Sequence, residues 1–188
     1  MGLRDALFGK KKLAEPKEDK LFALTTAAVT LQVELGLTTA GVGAIAFKPQ
    51  SSGEFRSAFY DVDQLVEAVA AQSGSKVERK SDEYGFDWLI FHDPELEDLV
   101  TTVHAVAAEL TAKGFGPQLL GAAFRFSGGE HPVYWIYGFK RGTFWPFVPS
   151  GKQQRDNATE LELKAKLENE LPIEPDLTRW LALFDAPM

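Results

Sequence analysis

The sequence predicts an α+β fold in which helices pack on an antiparallel sheet. One basis is an aromatic hairpin, because seven of the seventeen residues from 133 to 149 are aromatic and therefore suit strands. A second basis is the periodicity of residues 95–113, whose apolar stripe predicts an amphipathic helix: Leu96, Leu99, Val100, Val103, Val106, Ala107 and Leu110. With 188 residues, 45% of them hydrophobic, the chain is long enough to bury a sizeable core.

The first half of the chain predicts a helix, two strands, another helix and a second hairpin. Residues 21–35 form an almost uncharged run that Gly36 can close, and this run is too short to cross a membrane. Hydrophobic patterning and turn residues place the remaining elements in this order: strands at 42–48 and 54–60, a helix over 62–72, and hairpin strands at 76–80 and 86–92.

The second half predicts the centre of the sheet and two closing helices. A strand at 118–126 precedes the aromatic hairpin, whose turn is formed by Lys140, Arg141 and Gly142. We expect this hairpin to lie at the centre of the sheet. Asn157 and Glu160 have the spacing of a capping box, which predicts a helix start, and a last helix is expected over 177–184.

The helix that Asn157 opens has apolar residues on two opposite sides. Ala158, Leu161 and Ala165 follow one side, whereas the opposite side carries Leu163, Leu167 and Leu171. A helix with two apolar sides must bury both of them. Either the last helix covers the second side, or a partner protein does, and in the second case the partner-contact candidates are Leu163, Leu167 and Leu171.

The domain organisation expected is a basic amphipathic segment with a linker at residues 1–17, followed by one α+β domain at 18–188. Leu3, Leu7 and Phe8 lie together on a helical turn and are followed by Lys10, Lys11 and Lys12. Apolar side chains followed by lysines favour weak peripheral contact with an anionic membrane surface. These six residues are the membrane-contact candidates, and a solvated terminus is the alternative.

The charge distribution excludes one class of partner. The chain has a formal net charge of -7, which argues against nucleic-acid binding because such binding depends on lysine and arginine neutralising phosphates. Residues 1–12 nevertheless carry four basic residues against one acidic residue. The absence of cysteine excludes disulfides and thiolate chemistry and fits a cytoplasmic protein.

No residue pattern predicts catalysis, a metal site or a cofactor. The three histidines lack the four-residue spacing that places two zinc ligands on one helical face, and no glycine-rich loop lies between a strand and a helix. The alternative to a non-catalytic protein is a small-ligand protein or an enzyme of unrecognised type. Its pocket would lie between the aromatic hairpin and the 95–113 helix, with His104, Trp135 and Trp145 as the pocket candidates.

Several long strings resemble the PspAB family, the proteins associated with phage-shock protein A (PspA). The strings are MGLRDALFG at 1–9, LFALTTAAVTL at 21–31, EDLVTTVH at 97–104, KRGTF at 140–144, RDNA at 155–158 and ELPIEPDL at 170–177. Together they span nearly the whole chain.

The resemblance implies an accessory protein of the PspA envelope-stress (phage-shock) response, acting by protein–protein interaction without catalysis. It implies a PspA-type partner, a cytoplasmic location at the inner membrane face and no catalytic residue to carry over. A second copy of the chain is the other partner that we consider. The order of elements is also loosely similar to the secretion-chaperone-like α/β sandwich, an analogy of fold that settles no function.

Overall fold

A six-stranded antiparallel sheet forms the framework of the computed structural model, which describes residues 17–49, 53–184 and 186–188. The strands are β1 (Thr38–Phe47), β2 (Lys76–Ser81), β3 (Asp87–His92), β4 (Leu119–Ser127), β5 (Val133–Gly138) and β6 (Thr143–Phe147), and their spatial order is β2-β3-β1-β4-β5-β6. A small hairpin follows, made of β7 (Pro149–Gly151) and β8 (Gln154–Arg155).

Four α-helices are described, and residues of all four join a single core on one face of the sheet. They are α1 (Ala23–Leu35), α2 (Gly53–Ser73), α3 (Leu96–Ala112) and α4 (Asn157–Leu167). The predicted stripe of α3 is entirely buried, and Gly36 ends α1 in the left-handed conformation. The predicted α+β class and the helix layer made by residues 21–35 and 95–113 are therefore confirmed.

The strand predicted at residues 54–60 is wrong, because this stretch is the first part of α2. Apolar residues at positions 55, 59, 62 and 66 repeat with the spacing of one helical face, and the buried Val62 and Val66 belong to that series. Asp61 is therefore an interior residue of the helix, where its carboxylate pairs with Lys113 at 2.8 Å.

The aromatic hairpin does not lie at the centre of the sheet. Its strands are β5 and β6, and β6 is the outer strand. The outer edge of β6, which faces away from β5, is covered by the segment after α4. There the Phe144 amide donates to Pro172 O at 2.8 Å, and the Glu174 amide donates to Phe144 O at 2.8 Å. Covering an edge in this way protects it from pairing with another chain. The hairpin composition predicts two strands but not their place in the sheet.

The helix predicted over 177–184 is also wrong, because only one turn of 3-10 helix forms, Leu177–Arg179. From Trp180 the chain runs without regular structure across the face of the sheet opposite the helices. There Trp180, Leu183 and Phe184 pack on apolar side chains of the strands. We call residues 180–184 and 186–188 the C-terminal strap. An irregular strap forms because the second face is also apolar and has to be covered.

Of the two apolar sides of α4, one is buried in the core and the other is exposed. Leu163, Leu167 and Leu171 are buried in the same core as α1 and α3, so they are not available to a partner in this structure. The other side carries Ala158 and Ala165, both exposed, and Leu161, which is 47% exposed. The last helix that was expected to cover one side does not form, and the strap covers the sheet instead.

The start of α4 also differs from the predicted capping box. Asp156 is the cap residue, and its side chain accepts the Thr159 amide at 3.0 Å. Glu160 points inward instead, is 2% exposed, and accepts the Val148 amide at 2.9 Å. The Arg155 guanidinium lies 2.8 Å from the same carboxylate. Glu160 therefore joins α4 to the end of β6 rather than capping its own helix.

Two leucines of α4 test which side of this helix is buried. Leu167→Ala removes a fully buried side chain and is expected to lower the free energy of unfolding by about 2–5 kcal/mol. Leu161→Ala, on the exposed side of the same helix, is the matched control and should change it by less than about 0.5 kcal/mol. Urea unfolding followed by circular dichroism measures both. Equal effects of the two substitutions would contradict the burial described here.

Candidate functional site: an apolar cleft beside the C-terminal strap

The site begins with three small residues on neighbouring strands. The register pairs Ala46 of β1 with Gly121 of β4, and Gly121 with Gly138 of β5, so the three form one row across the sheet. Substitution would crowd this row, because a Cβ at Gly121 would lie 2.9 Å from Tyr137 O and one at Gly138 would lie 3.1 Å from Trp145 Cζ3. A row of small residues leaves a trough in an otherwise bulky surface.

Larger side chains make this trough a cleft of about 560 Å³ on the face opposite the helices. Trp88 of β3 is opposite Ala46 and ends the row, while Ile136 and Trp145 form the next row on the hairpin side. Leu181 and Leu183 of the strap complete the lining. The volume falls in the range of roughly 300–1,000 Å³ that is usual for ligand pockets, and the lining is mainly apolar, as in such pockets.

Both indole rings that line the cleft are held by hydrogen bonds. Trp145 Nε1 donates to Leu181 O at 3.0 Å, which ties the hairpin to the strap. Trp88 Nε1 donates to Asp82 Oδ2 at 2.9 Å, while the amides of Tyr84 and Phe86 donate to the other oxygen. Burial raises the pKa of the Asp82 carboxyl, but these hydrogen bonds outweigh it and hold the pKa below its usual value.

One end of the cleft is charged and is organised by Glu174, which is only 2% exposed. Its carboxylate accepts hydrogen bonds from Thr143 Oγ1 and from the Asp176 amide, both at 3.2 Å. Arg141 and Arg179 approach it from two sides at 3.7 and 3.5 Å, and both guanidinium side chains are about half exposed. One buried carboxylate is therefore shared by two partly exposed arginines.

The turn of the aromatic hairpin brings further positive charge to this end. Lys140 lines the cleft beside Arg141 and makes no ion pair with any residue in the described part of the chain. Lys17 is fixed to the same turn, because its amide donates to Phe139 O at 3.1 Å and its carbonyl accepts the Tyr137 hydroxyl. A Cβ at Gly142 would lie 3.1 Å from Lys20 Cδ, so Lys20 also packs there. We call Lys17, Lys20, Lys140 and Arg141 the basic tip.

The three pocket candidates from the sequence do not come together. Trp145 lines the cleft, but Trp135 is fully buried on the helix side of the sheet. His104 is also on the helix side, where Nε2 lies 3.1 Å from Asp19 Oδ1 and the ring packs on Phe22 at 4.9 Å between centroids. The predicted pocket between the hairpin and α3 is therefore replaced by packed core. Successive residues of a strand face opposite sides, and register is needed to place them.

A second exposed feature is the outer face of α1. Val29 and Val33 are 67% and 77% exposed, which is unusual for a helix whose one charged residue is Glu34. Phe22, directly before the helix, is also exposed. The low charge of residues 21–35 is typical of a helix buried in the core, but only the inner side of α1, with Leu24, Ala27 and Leu31, is buried.

The membrane-contact candidates Leu3, Leu7, Phe8, Lys10, Lys11 and Lys12 lie outside the described residues. Their segment joins the domain next to Lys17, at the basic tip. Among the helices in the described ranges, none has the length and apolarity needed to span a bilayer. The histidine, aspartate and glutamate side chains in those ranges form no group of three or more suited to a metal ion.

Comparison with known families identifies the chain's relatives. The model of the family described as PspA associated protein B, PspAB, matches residues 1–188, the whole length. The chain belongs to the PspAB family. No curated protein and no solved structure matches it.

The residues that create the PspAB cleft were not singled out in the sequence. Ala46, Gly121 and Gly138 are ordinary small residues in strands, and each is separated from the next by more than fifteen positions. A glycine inside a strand does signal a close approach by another group. The three positions form a site only because the strand register places them side by side, and the sequence does not specify that register.

The hydrogen bonds of Asp82 predict a pH dependence of stability. A folded-state pKa below the ordinary value of 3.8 means that the carboxylate contributes stability above pH 3.8, and this contribution is lost as pH falls through the folded pKa. Asp82→Asn should therefore be less stable than the native chain at pH 7, and the difference should shrink below pH 3.8. Urea unfolding from pH 7 to pH 2.5 measures it.

The control is Glu83→Gln, which removes an exposed carboxylate from the same turn. Its difference in unfolding free energy from the native chain should not depend on pH in this way. A constant difference between Asp82→Asn and the native chain over the whole pH range would contradict the role given to the Asp82 carboxylate.

Proposed function

We propose that this PspAB protein is a non-catalytic accessory of a PspA-type envelope-stress response that binds a PspA-type protein through the outer face of α1. The observation that carries the proposal is the exposure of Val29 and Val33 on a helix with almost no charge. The family description, PspA associated protein B, supports a PspA-type protein as the partner.

The exposed residues have the spacing of a helix-binding seam. Phe22, Thr26, Val29 and Val33 follow one another at intervals of four, three and four residues. This alternation is the spacing by which one helix presents a continuous apolar line to another helix. The seam is therefore suited to an amphipathic helix of the partner, whose apolar residues would cover the two valines.

Buried side chains on the inner side of α1 hold the helix in place, while its outer side is exposed to solvent. Leu24, Ala27 and Leu31 are fully buried against the core. Thr30 Oγ1 donates to Glu170 Oε1 at 2.8 Å, which ties α1 to the segment after α4. A rigid apolar surface binds with a smaller loss of conformational entropy than a mobile one.

The test uses the double substitution Val29→Asp and Val33→Asp in the full-length chain. Burying two new carboxylates in an apolar interface is strongly unfavourable, so we expect binding to a purified PspA-type protein to weaken at least about a hundredfold. Isothermal titration calorimetry measures the affinity. The folded state should be unaffected, because both side chains are exposed; circular dichroism checks this.

Leu161→Asp is the matched control, since Leu161 is an exposed leucine on α4. Binding that survives the α1 substitutions but is lost with Leu161→Asp would move the interface to α4. A native chain that forms a dimer in sedimentation, becomes a monomer with the α1 substitutions and never binds the PspA-type protein would assign the seam to a second copy.

We also propose that the accessory acts at the cytoplasmic face of the membrane, with Leu3, Leu7 and Phe8 entering the interface and the lysines contacting anionic lipid. Each basic residue near an anionic surface contributes about 1 kcal/mol. Replacing Lys10, Lys11 and Lys12 by Gln should therefore reduce co-sedimentation with anionic vesicles. Equal co-sedimentation of the native and substituted chains would contradict the membrane role, and neutral vesicles are the control.

A further inference from the structure

We propose that the cleft is a binding site for one acyl chain of an anionic amphiphile, whose chain lies in the trough and whose acid group lies at the end that carries Lys140, Arg141 and Arg179. This inference goes beyond the accessory role, and it concerns the face of the sheet opposite α1. The two proposals can therefore fail separately.

The apolar part of the cleft has the shape of a chain rather than of a flat ring. The small residues Ala46, Gly121 and Gly138 lie on three adjacent strands, so the trough extends over two strand spacings, roughly 10 Å. Trp88 closes one end, and Leu181 and Leu183 lie along the side. Removing a chain of methylenes from water is favourable by about 0.8 kcal/mol for each group buried.

The charged end selects the headgroup. Three cationic side chains, those of Lys140, Arg141 and Arg179, meet two carboxylates there, those of Glu174 and Asp176. Glu174 is already satisfied by Thr143 and a backbone amide, and its contacts with both arginines are longer than 3.4 Å. The excess of positive charge, and Lys140, for which the described residues provide no ion-pair partner, favour an acid group over a neutral or cationic one.

Two sources could supply such a ligand, a free fatty acid or an anionic lipid of a bilayer. The basic tip adjoins the cleft at Lys140 and Arg141, and the basic segment at residues 1–12 is joined to the same tip through Lys17. The charged end of the cleft therefore adjoins the basic tip, at which the described part of the chain begins. The chemistry of recognition, an acyl chain with an acid group, is the same for both sources.

The strap gives a route of entry. Beyond Trp180, its hydrogen bonds to the sheet are Trp145 Nε1 to Leu181 O at 3.0 Å and Lys80 Nζ to Pro187 O at 3.2 Å, as far as the described residues show. Leu181 remains 65% exposed although it lines the cleft. The trough is therefore reachable from solvent beside Leu181.

Tryptophan quenching tests the site directly, because Trp88 and Trp145 line the trough. The probe is stearic acid with a nitroxide on its chain, added below its critical micelle concentration to the full-length protein. We expect saturable quenching of tryptophan fluorescence at one ligand per chain. Ala46→Phe should fill the trough and weaken binding at least about tenfold, with Ala46→Leu as a milder version of the same change.

The headgroup is tested by the methyl ester of the same probe. Lys140→Gln together with Arg141→Gln should weaken binding of the acid about tenfold and leave binding of the ester unchanged. Lys166→Gln, an exposed lysine of α4, is the control and should leave both unchanged. Because the side chains of Lys140 and Arg141 are exposed, their substitution tests the site even if the Ala46 variants do not fold. Circular dichroism shows whether each variant is folded. Val29→Asp with Val33→Asp should bind the acid normally.

The source is distinguished by a second arm with vesicles that contain a nitroxide-labelled phosphatidylglycerol. Saturable quenching by the dissolved acid identifies a free fatty acid, whereas quenching that occurs only with vesicles and is reduced in Ala46→Leu identifies a membrane lipid. Both results support the site. Quenching that is unaffected by the Ala46 and Lys140 substitutions, or no quenching in either arm, would overturn it.

Discussion

The constraint on which this structure depends is a sheet that is apolar on both faces. Leu89, Phe124 and Trp135 face the helices, while Trp88, Ile136 and Trp145 face the other way. Four helices cover the first face completely. Among the described residues, the second face receives only the C-terminal strap, which leaves part of it uncovered, and an incompletely covered apolar face is where a cleft forms. The position of the cleft thus follows from the unequal amount of chain available to the two faces.

Glu174 links this cleft to the rest of the molecule. Its backbone pairs with β6, its carbonyl accepts the Trp180 indole at 2.9 Å, and its buried carboxylate is satisfied by Thr143 and the Asp176 amide. One residue therefore protects the outer edge of the sheet, fixes the start of the strap and draws two arginines toward the cleft. A buried carboxylate is stable only when its hydrogen bonds are made, and those of Glu174 are made by Thr143 and the Asp176 amide, while both arginines remain about half exposed.

The sequence predicts local structure well here and long-range placement poorly. The stripe of α3 and the stop at Gly36 depend on neighbouring residues, and both are observed. The start of α2 was missed because the apolar residues at 55 and 59 also fit a strand when they are separated from positions 62 and 66. The position of the hairpin at the edge and the opposite orientation of Trp135 and Trp145 depend on strand order and register, which no short stretch specifies. The cleft was missed for the same reason, because its floor comes from three distant strands.

Positive charge is concentrated at one place in this acidic molecule. The molecule is acidic overall, yet Lys17, Lys20, Lys140 and Arg141 lie together at one turn, and in the sequence the basic residues 1–12 precede Lys17. The chain passes from Lys17 through one turn of 3-10 helix, Glu18–Phe22, directly into α1. Lys17, which is bonded to the hairpin, and Phe22, the first residue of the exposed seam, are therefore five positions apart in the chain. Lys17, bonded to the hairpin by both its amide and its carbonyl, therefore joins the stretch that leads into α1 to the turn that carries Lys140 and Arg141.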